Sequence, residues 1–274
     1  MKGDTVSKTL KVAICIPCYG DPKAKFMQSL LNMVNYFHVS QLQDADGTPY
    51  VKEVETFIVS GSMLTECRHR LIAEALAWEA DWILCLDADH TFPPQTLDML
   101  LQRNLPIVGC NYARRQIPTA PTAAKLNSVG IGWENLVYTT KEKADANEVE
   151  EVAHLGMGVV LLKATVFDAL AYHAEQTGGS LMPLFQFTTN DTGKAIKGED
   201  VWFFDKCRAA GVPVHCDHHV SWLVGHCMDT IITNATAWEH RGMWEKSPEA
   251  DAINKFEAKA TELDNRARLE GQAA

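Results

Sequence analysis

The chain has 274 residues, 46% of them hydrophobic, and carries 35 acidic against 25 basic side chains for a formal net charge of −10. That length supports one good-sized core, or a core with an appendage, while the acidic balance speaks against broad electrostatic binding of nucleic acid and leaves room only for a local basic groove. No apolar run approaches the roughly 20 residues that a membrane helix needs. The opening Met1-Lys2-Gly3-Asp4-Thr5 has an acidic residue and no apolar segment, so no secretory signal is expected. Eight cysteines are scattered along the chain, and Cys15, Cys85 and Cys110 sit inside apolar runs. They read as small core residues of a chain in a reducing, cytoplasmic compartment.

In chain order, Leu10 to Pro17 reads as a buried strand stopped by the turn cluster Pro17-Cys18-Tyr19-Gly20-Asp21-Pro22. Lys25 to Val39 has Phe26, Leu30, Val34 and Phe37 at helical spacing. After a polar loop from Gln43 to Tyr50, Val54 to Val59 forms a second strand ended by Ser60-Gly61-Ser62. Thr65 to Trp78 is a second helix with Leu71, Ile72, Ala75 and Leu76 inward. A third strand, Trp82 to Leu86, runs straight into Asp87-Ala88-Asp89-His90, and a helix from Pro94 to Arg103 leads to the strand Pro106 to Cys110. This alternation of strands and helices with short connections predicts a parallel, doubly wound α/β sheet.

Beyond Cys110 the regularity breaks. Asn111 to Ala124 is polar and contains Arg114-Arg115, and two strands are expected around Lys125 to Gly130 and Asn135 to Thr140. Glu148 to Val152 passes through His154-Leu155-Gly156-Met157-Gly158 into the apolar strand Val159 to Leu162, and a short helix follows from Thr165 to Tyr172. Gln176 to Gly198 reads as a long mobile loop. A helix from Glu199 to Ala210, a short strand from Val212 to His215 and a helical tail from about Thr233 complete the chain, which suggests a catalytic domain over 1–232 and a tail over 233–274. Ile253, Phe256, Ala260 and Leu263 give the tail one apolar stripe. It must bury against the chain's own domain or a second copy, and homo-oligomerisation or docking suits it better than membrane contact, since basic residues do not dominate the polar face.

The acidic pair is the main chemical signal. A buried strand that delivers two carboxylates to its C-terminal end, where α/β sheets keep their ligand crevices, suggests a site, because burying a carboxylate is unfavourable unless it is paired or binds a metal. A hard divalent cation held by carboxylates and substrate phosphates fits. The plainer alternative is a strand entering a polar turn, with Asp89 capping the helix near Pro93-Pro94.

Five features in order, namely Ile16-Pro17-Cys18-Tyr19, Arg68, Asp87-Ala88-Asp89, Gly198-Glu199-Asp200 and His226, make the chain from about Val12 to Cys227 resemble a GT-A fold glycosyltransferase, family 2-like and of the small bacterial or phage type. The resemblance implies a Rossmann-like, doubly wound, mostly parallel central sheet with a smaller acceptor-side sheet. It places Pro17, Cys18, Tyr19 and Ser60 near the base and ribose of a nucleotide-sugar donor, with Arg68 and Ala88 also on the nucleotide and Arg70 on a solvated face. Asp87, Asp89 and His226 would hold Mn²⁺ or Mg²⁺. His215, His218 and His219 compete for the histidine role, and His90 is a further candidate beside the metal.

By the same resemblance Asp200 is the general base of an inverting transfer, or Glu199 contacts sugar or acceptor in a retaining one. Gly156, Met157 and Gly158 would lie against the transferred sugar, although glycines there can equally mark a tight turn. Trp202, with Trp222 and Trp133, is a candidate stacking platform, and Arg114-Arg115 is either a phosphate clamp or a solvated pair. The implied activity is metal-dependent transfer from a nucleotide-diphosphate sugar, a UDP-sugar by preference, to an acceptor hydroxyl that no motif identifies. A nucleotidyltransferase and a non-catalytic nucleotide- or sugar-binding protein are the alternatives; the first lacks its customary Gly-rich basic loop after strand one.

Overall fold

The computed structural model describes residues 8–44, 46–126, 134–189, 191, 193, 195–228, 231–255 and 259. Strand β1 (Thr9–Cys18) is buried from Val12 onward, and its alternate side chains feed opposite faces of the sheet. Val12, Ile14 and Ile16 meet Phe26, Leu30, Met33 and Phe37 of helix α1 (Ala24–Val39). β2 (Val51–Ser60) pairs parallel with β1 and, as an edge strand, keeps only Val59 fully buried. Ala13 and Cys15 face the other way, onto Leu71, Ile72 and Ala75 of α2 (Leu64–Ala77). β3 (Trp82–Leu86) is buried throughout.

The chain continues through β4 (His90–Thr91), α3 (Thr96–Arg103), β5 (Ile107–Gly109), β6 (Ala124–Leu126), β7 (Glu134–Leu136), α4 (Lys141–Asp145), β8 (Val149–Val152) and β9 (Val159–Lys163). It then forms α5 (Thr165–Thr177), β10 (Thr188–Thr189), β11 (Ala195–Lys197), α6 (Glu199–Ala209), β12 (Val214–Asp217), α7 (His218–Leu223), β13 (Gly225–Cys227), β14 (Ile231–Thr233) and α8 (Asn234–Trp244).

The central sheet has seven strands in the order β2-β1-β3-β9-β5-β12-β8. Five run in one direction, while β9 and β8 oppose their neighbours. Helices cover both faces, so the expected α/β architecture with a large, mostly parallel central sheet is present. A wholly parallel sheet is not. β9 enters antiparallel between β3 and β5, with Leu161 opposite both Leu84 and Val108. Its run of Val and Leu is buried on both faces, which needs a partner on each edge. Gly109 permits the fit, since a Cβ there would lie 2.8 Å from Val160.

The segment expected as a mobile loop is held in place. The His69 Nδ1 faces Thr65 O at 2.7 Å, so it is the protonated nitrogen, and Nε2 accepts from Leu184 N at 2.8 Å and Phe185 N at 3.2 Å. Phe185 is buried in the core against Phe203 of α6, and β10 and β11 form a small hairpin. The helix expected to stop at Tyr172 runs on to Thr177, where Gly178 in the left-handed conformation ends it.

A three-stranded antiparallel sheet, β14-β13-β4, packs beyond the ends of the central strands and sets His226 opposite His90. Helix α8 starts with a Thr233–Thr236 capping box, and Asn234 donates to the carbonyls of Asn111 and Ser221. Trp244 packs on Ala120 and Ala250, with Ile253 beside them, so the first residue of the expected apolar stripe lies against the chain's own domain. Phe256, Ala260 and Leu263 are outside the described residues. Among those described, no helix is long and apolar enough to cross a membrane.

Candidate functional site

The site is assembled where β1 and β3 end side by side. Asp87 N donates to Gly158 O at 3.0 Å, and the Asp87 carboxylate accepts from Arg68 Nη2 at 3.0 Å. Arg68 projects from α2, is only 5% exposed, and has its Nε 3.5 Å from Glu199 Oε1 at the start of α6. Burial alone would weaken its basicity, but Asp87 and Glu199 outweigh that and hold it firmly charged. Burial, joined by the neighbouring Asp200, pushes the Glu199 carboxyl above its ordinary range, and burial likewise raises Asp200. Asp200 Oδ1 accepts from Val201 N at 2.7 Å, a placement the helix N-terminus favours. One guanidinium thus faces three carboxylates, leaving negative charge in excess.

Next to this group, ligand atoms of Asp89, His90 and His226 lie within 4.8 Å of one another. Asp89 Oδ1 is 3.2 Å from His90 Nδ1 and 3.4 Å from His226 Nε2. His226 Nδ1 faces the carbonyl of Ala113 at 2.8 Å, so Nδ1 carries a proton, and Nε2 is the nitrogen turned to Asp89. Asp89 Oδ1 and both ring nitrogens of His90 are buried without a well-formed hydrogen bond, an arrangement that a native interior rarely keeps without a reason. Burial would raise the Asp89 carboxyl, but His226 and His90 prevail and hold it well below the usual carboxylate range. A carboxylate with imidazole nitrogens suits a divalent metal ion, and a carbonyl-bonded Nδ1–H is the usual support for a ligating histidine. The residues present fit the ion.

Asp87, expected as a second ligand, is paired with Arg68, and the group whose ligand atoms converge consists of Asp89, His90 and His226. The other histidines have different partners: His215 the Ile107 carbonyl, His219 the Ala144 carbonyl, and His218 both Thr139 and Glu150. Glu148, Glu150 and His218 also converge, but Lys143 and Lys125 already neutralise Glu150. Burial opposes ionisation of Glu150, and bonds from Lys125, Lys143 and His218 override it, holding the carboxyl at about 2.

Tyr112 joins the pieces. Its hydroxyl accepts from Gly158 N at 3.0 Å, and its ring meets His90 edge-on, while His90 stacks on His226 with centroids 4.2 Å apart. A Cβ on Gly156 would fall 2.1 Å from the Tyr112 hydroxyl, and one on Gly158 would fall 2.5 Å from His90. The bare backbone of these glycines therefore lets Tyr112 and His90 approach, and Met157 between them is a core side chain. Trp202 donates its Nε1–H to Pro183 O at 3.2 Å. Trp222 is half-buried on α7 and Trp133 lies outside the described residues.

A cleft of about 510 Å³ runs from Pro17, Cys18 and Tyr19 past Ser62, Asp87 and Ala88 to Asp89 and His226. Tyr19 is 85% exposed at its rim, an aromatic ring available for stacking. The end of β2 contributes Gly61 and Ser62 to the lining, while Ser60 is exposed. A second cleft, about 650 Å³, adjoins it and shares Lys23, Arg115 and His226. Lys23 carries no motif in the sequence, although it directly follows the turn at Gly20-Asp21-Pro22. Arg115 is no mere solvated charge: its Nη1 is 2.8 Å from Asp89 Oδ2. Arg114 lies over the Trp244 ring at 5.7 Å, and Arg70 pairs with Glu74 at the surface.

No family and no curated protein matches the sequence. Among solved structures the chain is similar to A197 from STIV, with a TM-score of 0.45 and 16% identity over 82% of this chain and 94% of that one. It is also similar to GalNAc-T7 solved with UDP, GalNAc and Mn²⁺, with a TM-score of 0.45 and 13% identity over 80% of this chain and 44% of that one.

Proposed function

We propose that this chain is a metal-dependent glycosyltransferase that takes a sugar from a nucleotide-diphosphate donor, a UDP-sugar by preference, to an acceptor hydroxyl. The observation that carries this reading is the convergence of Asp89 Oδ1 with ring nitrogens of His90 and His226 at the mouth of a nucleotide-sized cleft. Pro17, Cys18 and Tyr19 would receive the base and ribose. Asp89 and His226, with His90 or Asp87, would hold Mn²⁺ or Mg²⁺, which as a Lewis acid offsets charge growing on the leaving diphosphate.

Arg68 keeps Asp87 oriented, and Glu199 holds Arg68 from the other side. Asp200 is the base: it takes the proton of the acceptor hydroxyl as that oxygen attacks the anomeric carbon opposite the diphosphate. A carboxyl raised by burial is a better proton acceptor near neutral pH than an ordinary one. The catalytic unit spans residues 1–232 and the tail 233–274. Eight buried free cysteines suit a reducing compartment.

The test is calorimetric titration of the purified chain with UDP and GDP, with and without Mn²⁺. Tight binding of one nucleotide that depends on Mn²⁺ supports the reading and names the base. A folded chain that binds neither overturns it in this form. Metal-dependent binding without turnover of any donor identifies a binding protein.

A further inference from the structure

Arg115 stands where the two clefts meet, and its backbone is anchored more firmly than its side chain. Arg114 N donates to Ala120 O at 2.8 Å, and Gln116 N and the Thr119 hydroxyl both donate to Arg114 O. Residues 114–120 therefore form a closed loop that fixes the root of Arg115. The side chain itself is 53% exposed, and its guanidinium meets Asp89 Oδ2 at 2.8 Å. Asp89 is the same carboxylate whose Oδ1 faces His90 and His226. Arg115 is thus the positive charge that balances Asp89 when no cation is bound there. On its other side lies the cleft of about 650 Å³, whose described lining includes Lys23, Arg114 and Arg115 and no carboxylate, in a chain of net charge −10.

We propose that Arg115 is an exchangeable counter-ion. A divalent cation bound at Asp89 and His226 displaces the guanidinium, which turns into the second cleft and, with Lys23 and Arg114, forms a binding site for a phosphoryl group. The inference rests on the metal assignment above and is independent of sugar transfer. A carboxylate neutralised by a divalent ion no longer attracts the guanidinium, and the ion repels it at this range. A half-exposed ion pair is weak enough to be exchanged. The freed planar fork matches phosphoryl oxygens better than a lysine does. Because one side chain serves both sites, metal binding and phosphoryl binding must strengthen each other by the same factor. The phosphoryl group belongs either to the donor's diphosphate or to an anionic acceptor; the recognition chemistry is the same.

The experiment uses the full chain as wild type, Arg115→Gln and Arg115→Lys, with Arg70→Gln as a surface-charge control. Mn²⁺ is titrated alone, and inorganic pyrophosphate is then titrated with and without saturating Mn²⁺. Arg115→Gln is expected to bind Mn²⁺ about two- to fivefold more tightly, because a competing ion pair of that strength is gone. In saturating Mn²⁺ the same variant is expected to lose at least about tenfold in pyrophosphate affinity, with Arg115→Lys recovering part of it. These opposite changes are the signature of exchange. A substitution that merely loosened the fold would weaken both, and a passive surface arginine would, like Arg70, move neither; either result overturns the proposal. Absence of Mn²⁺ binding by the wild type overturns the metal assignment and the exchange with it, whereas Mn²⁺ binding without the opposite changes overturns the exchange alone. Repeating the pyrophosphate titration on the UDP-saturated chain assigns the group: continued binding supports an anionic acceptor, and exclusion supports the donor diphosphate.

Discussion

Replacing Arg68 by methionine keeps the aliphatic volume of the side chain and deletes the guanidinium that faces Asp87 at 3.0 Å and Glu199 at 3.5 Å. Each of these pairs is worth about 5 kcal/mol of Coulomb attraction at an effective dielectric constant of ~20, most of it offset by the unfavourable burial of the charges. Removing only the cation abandons the acids, for which a loss of about 3–5 kcal/mol is expected. The loss must depend on pH in a definite direction. Burial and Asp200 already raise the Glu199 carboxyl above its ordinary value, and without Arg68 it rises further. A carboxyl whose folded-state value exceeds its unfolded one contributes stability that is present below the unfolded value and disappears as pH rises through the folded one. Arg68→Met should therefore be weakest at pH 7.5, with the deficit at pH 5.0 smaller by at least about 1 kcal/mol. Urea unfolding followed by the fluorescence of the seven tryptophans, at both pH values and for both proteins, measures it. An equal deficit at pH 5.0 and 7.5 would refute the account of a buried acid cluster neutralised by one guanidinium.

Asp89→Ala should abolish Mn²⁺ binding while the chain remains folded; unchanged Mn²⁺ affinity in calorimetry removes the metal assignment. Asp200→Asn should leave nucleotide affinity nearly intact and eliminate transfer, and wild-type turnover would reduce Asp200 to a helix-terminus residue. Gly156→Ala drives a methyl into the Tyr112 hydroxyl and should destabilise the fold by about 1–3 kcal/mol, which a thermal melt reports as a fall of about 2–4 °C per kcal/mol. Glu150→Gln should remove about 1–2 kcal/mol at pH 7, after allowance for solvent around its lysines. Because the Glu150 carboxyl is held at about 2, below its unfolded value, that difference is present above pH 4.5, shrinks as pH falls and vanishes near pH 2. A difference that persists there would contradict the ion-pair reading.

The first half of the chain is legible because its helices and strands announce themselves by period. Phe26, Leu30 and Phe37 recur at helical spacing, and Val12 to Ile16 and Trp82 to Leu86 are runs that only a buried strand accommodates. An apolar run carries no direction, however, so the reversal of β9 could not be read from Val159 to Leu162. The order of the loop before α6 depends on His69, a partner 115 residues from Leu184. The site divides in the same way. Asp87 and Asp89 stand out as acids at a strand end, and Arg68 and Glu199 as charges at helix starts. That His226 and not one of three nearby histidines meets Asp89 follows from its pairing with β4, and Arg115 meets a carboxylate 26 residues upstream. Neither contact leaves a local trace. Tyr112, which fixes Gly156 and Gly158, is hidden for the same reason.

The reversed strand also has a consequence for how the polypeptide must be born. Between the completion of β3 at Leu86 and the arrival of β9 at Val159, the ribosome adds more than seventy residues during which one side of β3 has no hydrogen-bonding partner. β5, made in that interval, pairs with β9 and not with β3 in the finished sheet. The segment left waiting is Trp82-Ile83-Leu84-Cys85-Leu86, without a charge or a proline to discourage intermolecular pairing. Nascent chains stalled or truncated before residue 159 should therefore be stickier and more dependent on chaperones than chains extended past Lys163. The same geometry makes β9, the fourth of the seven strands in the sheet order, the one that joins β2-β1-β3 to β5.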